Sequence, residues 1–327
     1  MSTLAVFSHF DRDGLVAPHV LRYVRDLAGA VDRLIVVSTA DLAGPDRGEL
    51  AGLGELIVRE NIGYDFYSWK VGLDTVGDWT GYDRVLLAND SVVGPLRPMP
   101  EILRTGPGSP ADFWGMTASH EITPHVQSWF LVFERAALDS PELAGFWREM
   151  TPISDRRSVI VRYELGLSRL LLGAGLRPGA FLHPNRTQFV RAMRRFEKVL
   201  RSQPERAAWA RKISGAHSDA QWREVLARRP PWNPTHVFWD CVLDGGLPFV
   251  KLELLRDDPY RLGRQKILSQ LERTFPEPFA RGTRLPPAHG TGGRRRGGEA
   301  RTVTPVAAPT RWGRAAPTPR RPPHRRR

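Results

Sequence analysis

Apolar residues fall into short continuous runs separated by helically spaced stripes through the first part of the chain. Leu4 to Phe10 and Leu34 to Val37 are runs of strand length, and from Ala17 to Leu27 apolar residues recur three and four apart. A third run, Glu55 to Val58, leads into RENIGYDFYSWKVGL. A fourth, Arg84 to Ala88, ends in the polar turn Asn89-Asp90-Ser91. Strands alternating with helices predict an α/β fold built of βαβ units, with an open, mostly parallel sheet flanked by helices. In such sheets ligands collect beyond the carboxyl ends of the strands.

Beyond Pro110 the pattern changes. ADFWGMT is followed by a loop and then HVQSWFLVF, whose alternation predicts a strand on the core. Ser158 to Leu172 becomes helical in period, with Tyr163-Glu164 opening the helix and Gly173 or Gly175 stopping it. A last strand or loop is expected through Phe181-Leu182-His183-Pro184. In the next segment Phe189, Val190, Met193, Phe196, Val199 and Leu200 form one apolar stripe among arginines, and Pro204 should end that helix. The predicted division is a catalytic domain over residues 1–185, a basic helical segment over 186–229, an extension over 230–280 that packs on the core, and a disordered Arg/Pro/Gly-rich tail over 281–327.

Charge changes the picture less than its total suggests. The 327 residues carry a formal +13, but residues 281–327 hold 13 arginines against Glu299 alone, so residues 1–280 are at +1. The footprint of a nucleic-acid-binding body is absent, and no specific nucleic acid is expected as a partner. Residues 186–229 carry 12 basic and 4 acidic side chains. Their stripe has two uses: packing onto the catalytic domain, or lying on an anionic membrane. Cys241 is the single cysteine, which excludes an intramolecular disulfide and predicts a reducing compartment. An acidic residue precedes any apolar run of signal-peptide length, and no run approaches the roughly 18 residues of a bilayer span. The expectation is a cytoplasmic protein, at most peripheral at the inner face of the cell membrane.

Candidate chemistry falls in four clusters. Arg59, Glu60, Asn61, Gly63 and Asp65 set donors and acceptors around one glycine after a strand, which suits a ligand approached by backbone and equally a salt-bridged turn that starts a helix. Asn89, Asp90 and Ser91 end another strand at the same expected edge, where a carboxylate can hold a divalent cation against a diphosphate or simply close an Asx turn. Asp112, Trp114 and Gly115, with His125, Gln127 and Ser128, interleave aromatic and polar groups as a sugar site does, or as a core does. Glu164 is either a general base or a stabilised first helical turn. No GxGxxG, phosphate loop, HExxH, GxSxG or zinc-finger spacing is present.

Taken in order, VFSHFDRDG, VRENIGYDFYSWKVGL, LLANDSVVGP, DFWGMT with HVQSWFLVF, YELGLSRLLLGAG and NPTHVFWDCVLDGGLPFVKLELLRDDP resemble the rhamnan synthesis protein F family of bacterial polysaccharide glycosyltransferases, across about residues 4–260. The resemblance implies a GT-A-like, Rossmann-like sheet with a helical C-terminal extension. It also implies transfer of L-rhamnose from dTDP-L-rhamnose to a lipid-linked or polysaccharide acceptor. By similarity to inverting GT-A enzymes, Asn89 and Asp90 occupy the metal-binding Asp-x-Asp position and Glu164 that of the catalytic base. With one carboxylate in the motif, the leaving diphosphate is served either by Mg²⁺ or Mn²⁺ on Asp90 or by cations such as Arg59 or Lys70. Ser8, His9, Ser38, Thr39, Asn61, Gly63, Asp65 and Ser91 are assigned to the donor, and Asp112, Trp114, Gly115, His125 and Gln127 to the sugar or acceptor. A non-catalytic sugar-binding protein of the same shape is the main alternative, and a nucleic-acid-associated protein using the arginine tail is another.

Overall fold

Four apolar runs of the first ninety residues become adjacent strands. A computed structural model describes residues 1–277 and 279, all within one compact unit, Met1–Gly290. The strands are β1 (Thr3–His9), β2 (Arg33–Ser38), β3 (Glu55–Val58), β4 (Arg84–Asn89), β5 (Val92–Val93), β6 (Phe113–Gly115), β7 (Ala118–Ser119), β8 (His125–Val126), β9 (Phe130–Glu134), β10 (Pro178–Ala180) and β11 (Val250–Lys251). Seven of them make the main sheet, in the order β10-β6-β9-β4-β1-β2-β3. β1 pairs in parallel with β2 and β4, β2 with β3, and β6 with β10; β9 alone runs antiparallel, between β4 and β6. The expected open, mostly parallel α/β sheet is therefore present.

Both faces of the sheet are covered, which is why its central strands are apolar throughout rather than alternating with polar residues. Ala5, Phe7, Leu34, Val36, Leu86 and Ala88 enter one core cluster, and Leu4, Val6, Ile35, Val37, Val85 and Leu87 enter the other. The first face receives α1 (Pro18–Ala28), α2 (Gly44–Leu53) and, from beyond β4, α4 (Met99–Thr105). The second receives α3 (Tyr64–Val76), α5 (Arg135–Leu138) and α6 (Pro141–Glu149). Gly72 lets α3 lie directly on β1, because a Cβ there would stand 2.4 Å from Val6 Cγ1.

Two expected elements are rearranged. HVQSWFLVF is not one strand: β8 pairs only with β7, and after Gln127–Trp129 the chain enters the main sheet as β9. The break is built by polar groups, since Gln127 bonds to Thr117 and the Ser128 N–H is drawn away to a side chain on a neighbouring helix. That helix also starts earlier than expected. Asp155 caps α7 (Arg156–Val159) by accepting the Ser158 N–H at 2.7 Å, a π-helical turn spans Ile160–Glu164, and α8 (Leu165–Gly173) continues. Glu164 thus lies inside a continuous helical run, so the first-turn dipole argument for it does not hold.

The C-terminal segments close over the first face. α9 (Arg186–Ser202) is capped by a reciprocal Asn185–Gln188 box, and Pro204 begins α10 (Pro204–Ile213), as its missing N–H allows. α11 (Asp219–Arg228), α12 (Pro234–Val237), α13 (Leu252–Arg256) and α14 (Arg264–Thr274) follow. The stripe on α9 is spent on packing: Phe189 and Phe196 meet Trp232 at 5.5 and 5.6 Å between ring centroids, and Val199 is buried. Of its members only Val190 is exposed, so lipid contact through that stripe is set aside. No described helix is long and apolar enough to cross a membrane. The tail expected over 281–327 lies outside the described residues.

Candidate active site

The register of the sheet brings Ser8 of β1 directly opposite Asn89 of β4 at their carboxyl ends. Both donate to one acceptor: Ser8 Oγ to Asp65 Oδ1 at 3.0 Å and Asn89 Nδ2 to Asp65 Oδ2 at 2.8 Å. Asp65 is delivered by the first turn of α3, whose N-cap Gly63 takes φ 74°, a conformation that glycine adopts without strain. A Cβ at Gly63 would also meet Tyr67 Cβ at 2.6 Å. Trp69 Nε1 donates to Ala88 O at 2.9 Å and locks the same helix to the end of β4.

Asp90 follows on the rim. Its Oδ2 accepts the Phe10 N–H at 2.8 Å, while Asn89 Oδ1 accepts both the N–H and the hydroxyl of Ser91. Asp65 and Asp90 keep partly exposed surfaces but are densely surrounded by protein. Burial, then the neighbouring Asp65 charge, push Asp90 up to about 7, and burial raises Asp65 as well, against the hydrogen bonds from Ser8 and Asn89.

Lys251 enters from the opposite end of the chain. β11 pairs antiparallel with β5, Lys251 opposite Val92, and the Leu252 N–H closes on Ser91 O at 3.0 Å. Lys251 Nζ donates to Ser91 Oγ at 2.6 Å and stands 5.6 Å from the centroid of the Trp129 ring. Burial pulls its pKa down to about 8 against the attraction of Glu253, Glu164 and Asp65. Glu164 Oε1 accepts the Ser128 N–H at 3.0 Å, and its other oxygen takes no hydrogen bond among the described residues. Glu253 is held down to about 2, chiefly by its bond from His236, and Glu121 is pushed up to about 7 by burial, with Glu164 and Glu253 adding to the effect. Asp65, Asp90, Glu164 and Lys251 therefore belong to one electrostatic neighbourhood at one edge.

Other expected residues are placed differently. Ser38 and His9 bond to each other at 3.0 Å beneath the rim, both essentially inaccessible, and burial lowers His9 to about 4, so it supplies no charge to a phosphate. Arg59 is spent on its own turn, donating to the carbonyls of Glu60, Ile62 and Tyr64 and to Ser68 Oγ at 2.7–3.1 Å. Lys70 pairs with Asp74 one turn along α3 at 2.9 Å. Both cations are thus engaged within their own turn and helix in this structure. Asn61 is exposed in the loop.

The residues expected on the sugar side are scattered rather than gathered at the rim. β6 runs parallel to β4, so Asp112, which precedes it, lies at the opposite rim of the sheet, with both oxygens bound by Arg177. Trp114 is core and gives its N–H to Glu134 at 2.9 Å. A Cβ on Gly115 would stand 2.5 Å from Val126 Cγ1, so it is a packing glycine. His125 is buried against Thr123 O, and Gln127 bonds to Thr117 and Asn233, so both brace the loop that presents Ser128. Lys251, Trp129, Glu121 and Glu253 were not anticipated. The signal for Lys251 and Glu253, an FVK run able to pair with SVV across the chain, is too short to stand out in the sequence.

Among the described residues no cluster would hold a divalent ion by itself, so an ion here would be shared between one or two carboxylates and the phosphate oxygens of a ligand. Both Asp65 oxygens and one of Asp90 carry hydrogen bonds, Asn89 Oδ1 is doubly occupied, and no group of three or more His, Cys, Asp or Glu among the described residues could hold a metal. Asp90 Oδ1 carries no hydrogen bond among the described residues and is the oxygen that would meet such an ion first.

The chain belongs to the rhamnan synthesis protein F family, whose model matches residues 34–197. It is 33% identical over 214 residues to the virulence protein VirA of Vibrio anguillarum, covering 62% of each chain. The chain thus spans about 62% of the length of that curated relative. Among solved structures, a putative glucose-1-phosphate thymidylyltransferase from Bacillus anthracis overlaps 55% of this chain and 87% of its own, at 10% identity and a TM-score of 0.37. A glucosyl-3-phosphoglycerate synthase from Mycobacterium tuberculosis, solved with Mn²⁺, UDP-glucose and phosphoglyceric acid, overlaps 41% and 57%, at 10% identity and a TM-score of 0.29.

Proposed function

We propose that this protein is a glycosyltransferase of polysaccharide assembly, moving L-rhamnose from dTDP-L-rhamnose to a hydroxyl of a growing or lipid-linked glycan. The observation that carries the reading is the gathering of Asp65, Asp90, Glu164 and Lys251 at the carboxyl edge of a parallel sheet, with Asp65 fixed by Ser8 and Asn89. Membership of the rhamnan synthesis family supports the class of reaction.

In the proposed reaction the acceptor oxygen attacks the anomeric carbon as the bond from that carbon to the diphosphate oxygen breaks. The electron pair stays on the diphosphate, and the acceptor proton passes to the unbonded oxygen of Glu164, whose partner oxygen is held by the Ser128 N–H. Attack opposite the leaving group inverts the anomeric centre. Negative charge growing on the diphosphate needs fixed positive charge at the rim, the demand that electrostatic preorganisation meets.

The test is a panel of nucleotide sugars offered to purified protein, reading thermal stabilisation and slow donor hydrolysis. A shift and hydrolysis with dTDP-L-rhamnose support the proposal; silence across the panel opposes it.

A further inference from the structure

The family match ends at residue 197, yet the rim is completed by a residue well beyond it. Lys251 reaches Ser91 across 160 positions of sequence because β11 pairs with β5, and it is held on two sides, by the Ser91 hydroxyl and by the Trp129 ring. An ammonium has three protons to donate, and only one has an acceptor among the described residues. Its neighbours Asp65, Glu164 and Glu253 favour its charged form. The position is backbone-anchored, through Leu252 N–H to Ser91 O. Arg59 and Lys70, the cations the sequence offered for this role, are held in their own turn and helix, while Arg156 and Arg256 also act on Asp65 and Asp90 but neither is tied to the rim backbone and Ser91 as Lys251 is.

Building on the proposed transferase reading, we propose that Lys251 is the diphosphate-binding cation of this site, doing with a side chain what a protein-held divalent ion would otherwise do. Ser91 holds the ammonium in place and Trp129 shields one side of it, which leaves two of its protons without an acceptor among the described residues, in the electrostatic neighbourhood of Asp65 and Asp90. The ligand this site takes is a nucleoside diphosphate, recognised through its diphosphate.

The experiment is calorimetric binding of dTDP, UDP and dTMP to wild type, Lys251→Ala and Lys251→Arg, in EDTA and again in excess Mg²⁺. The wild type should bind a diphosphate in EDTA, nearly unchanged by Mg²⁺. Loss of one charge-assisted bond should weaken dTDP by about tenfold or more in Lys251→Ala, with Lys251→Arg recovering most of it. Binding of dTMP, which lacks the second phosphate, should fall far less. Equal binding of dTDP by wild type and Lys251→Ala, equal losses of dTMP and dTDP, or wild-type binding that requires Mg²⁺ would each overturn the assignment while leaving the transferase reading standing. Failure of the wild type to bind either diphosphate under any condition would overturn both.

Discussion

Ser8 and Asn89 face each other across the β1–β4 ladder and both donate to the carboxylate of Asp65, one to each oxygen. Both donors are almost fully buried. The carboxylate is thus a joint between two strands and α3 as well as a rim group, and the chemistry of the edge depends on the same contacts that align the sheet with the helix.

Asp65→Ala should therefore lose stability as well as activity. Removing the acceptor strands two buried donors, each costing about 1–3 kcal/mol when left unpaired. Urea unfolding should show the loss as a lower midpoint at unchanged slope. A variant as stable as the wild type would mean that water replaces the carboxylate without cost.

Asp90 makes a signed prediction for pH. Its carboxyl titrates near 3.8 unfolded and at about 7 folded, so between those values the folded state binds the extra proton. Stability must then fall as pH rises from about 4 to about 7. Asp65 is shifted in the same direction and adds to the slope. Asp90→Asn, which keeps an oxygen for the Phe10 N–H, should flatten that decline. Denaturation curves for the two proteins at several pH values across this range check it, and parallel profiles would contradict it.

Arg59 separates a structural cation from a ligand-binding one. Its guanidinium holds the Glu60 and Ile62 carbonyls of the loop before α3 together with the Tyr64 carbonyl and Ser68 hydroxyl of the helix's first turns, a fork that lysine cannot reproduce. Arg59→Lys should lower the melting temperature while leaving dTDP affinity of the folded protein unchanged within error. A selective loss of dTDP binding at normal stability would restore Arg59 to the donor site.

Much of the edge was legible because parallel strands covered on both faces are short apolar runs, and such runs mark their own carboxyl ends. Asp65, Asn89 and Asp90 could be assigned to one rim from that alone, whereas Ser8 entered through the family resemblance. Lys251 could not, since its place depends on a two-residue ladder between segments with no local signature. Asp112 was misplaced because its role depends on strand direction: preceding a strand parallel to β4, it belongs to the amino-end rim. The helix carrying Glu164 hides its start at Asp155 because a π-helical turn shifts the apolar period partway along. Trp114 and the stripe of α9 show the opposite ambiguity, where aromatic and apolar residues suited to ligands or lipid serve as core.

Glu164→Gln, assayed with dTDP-L-rhamnose and an acceptor glycan, puts the proposed base to the test. Glutamine keeps an oxygen for the Ser128 N–H, so fold and dTDP binding should match the wild type, while turnover should drop by about 10²–10⁴-fold, the span of a lost general base. Turnover equal to wild type, in a variant that binds and folds normally, would mean that Glu164 takes no proton in the reaction.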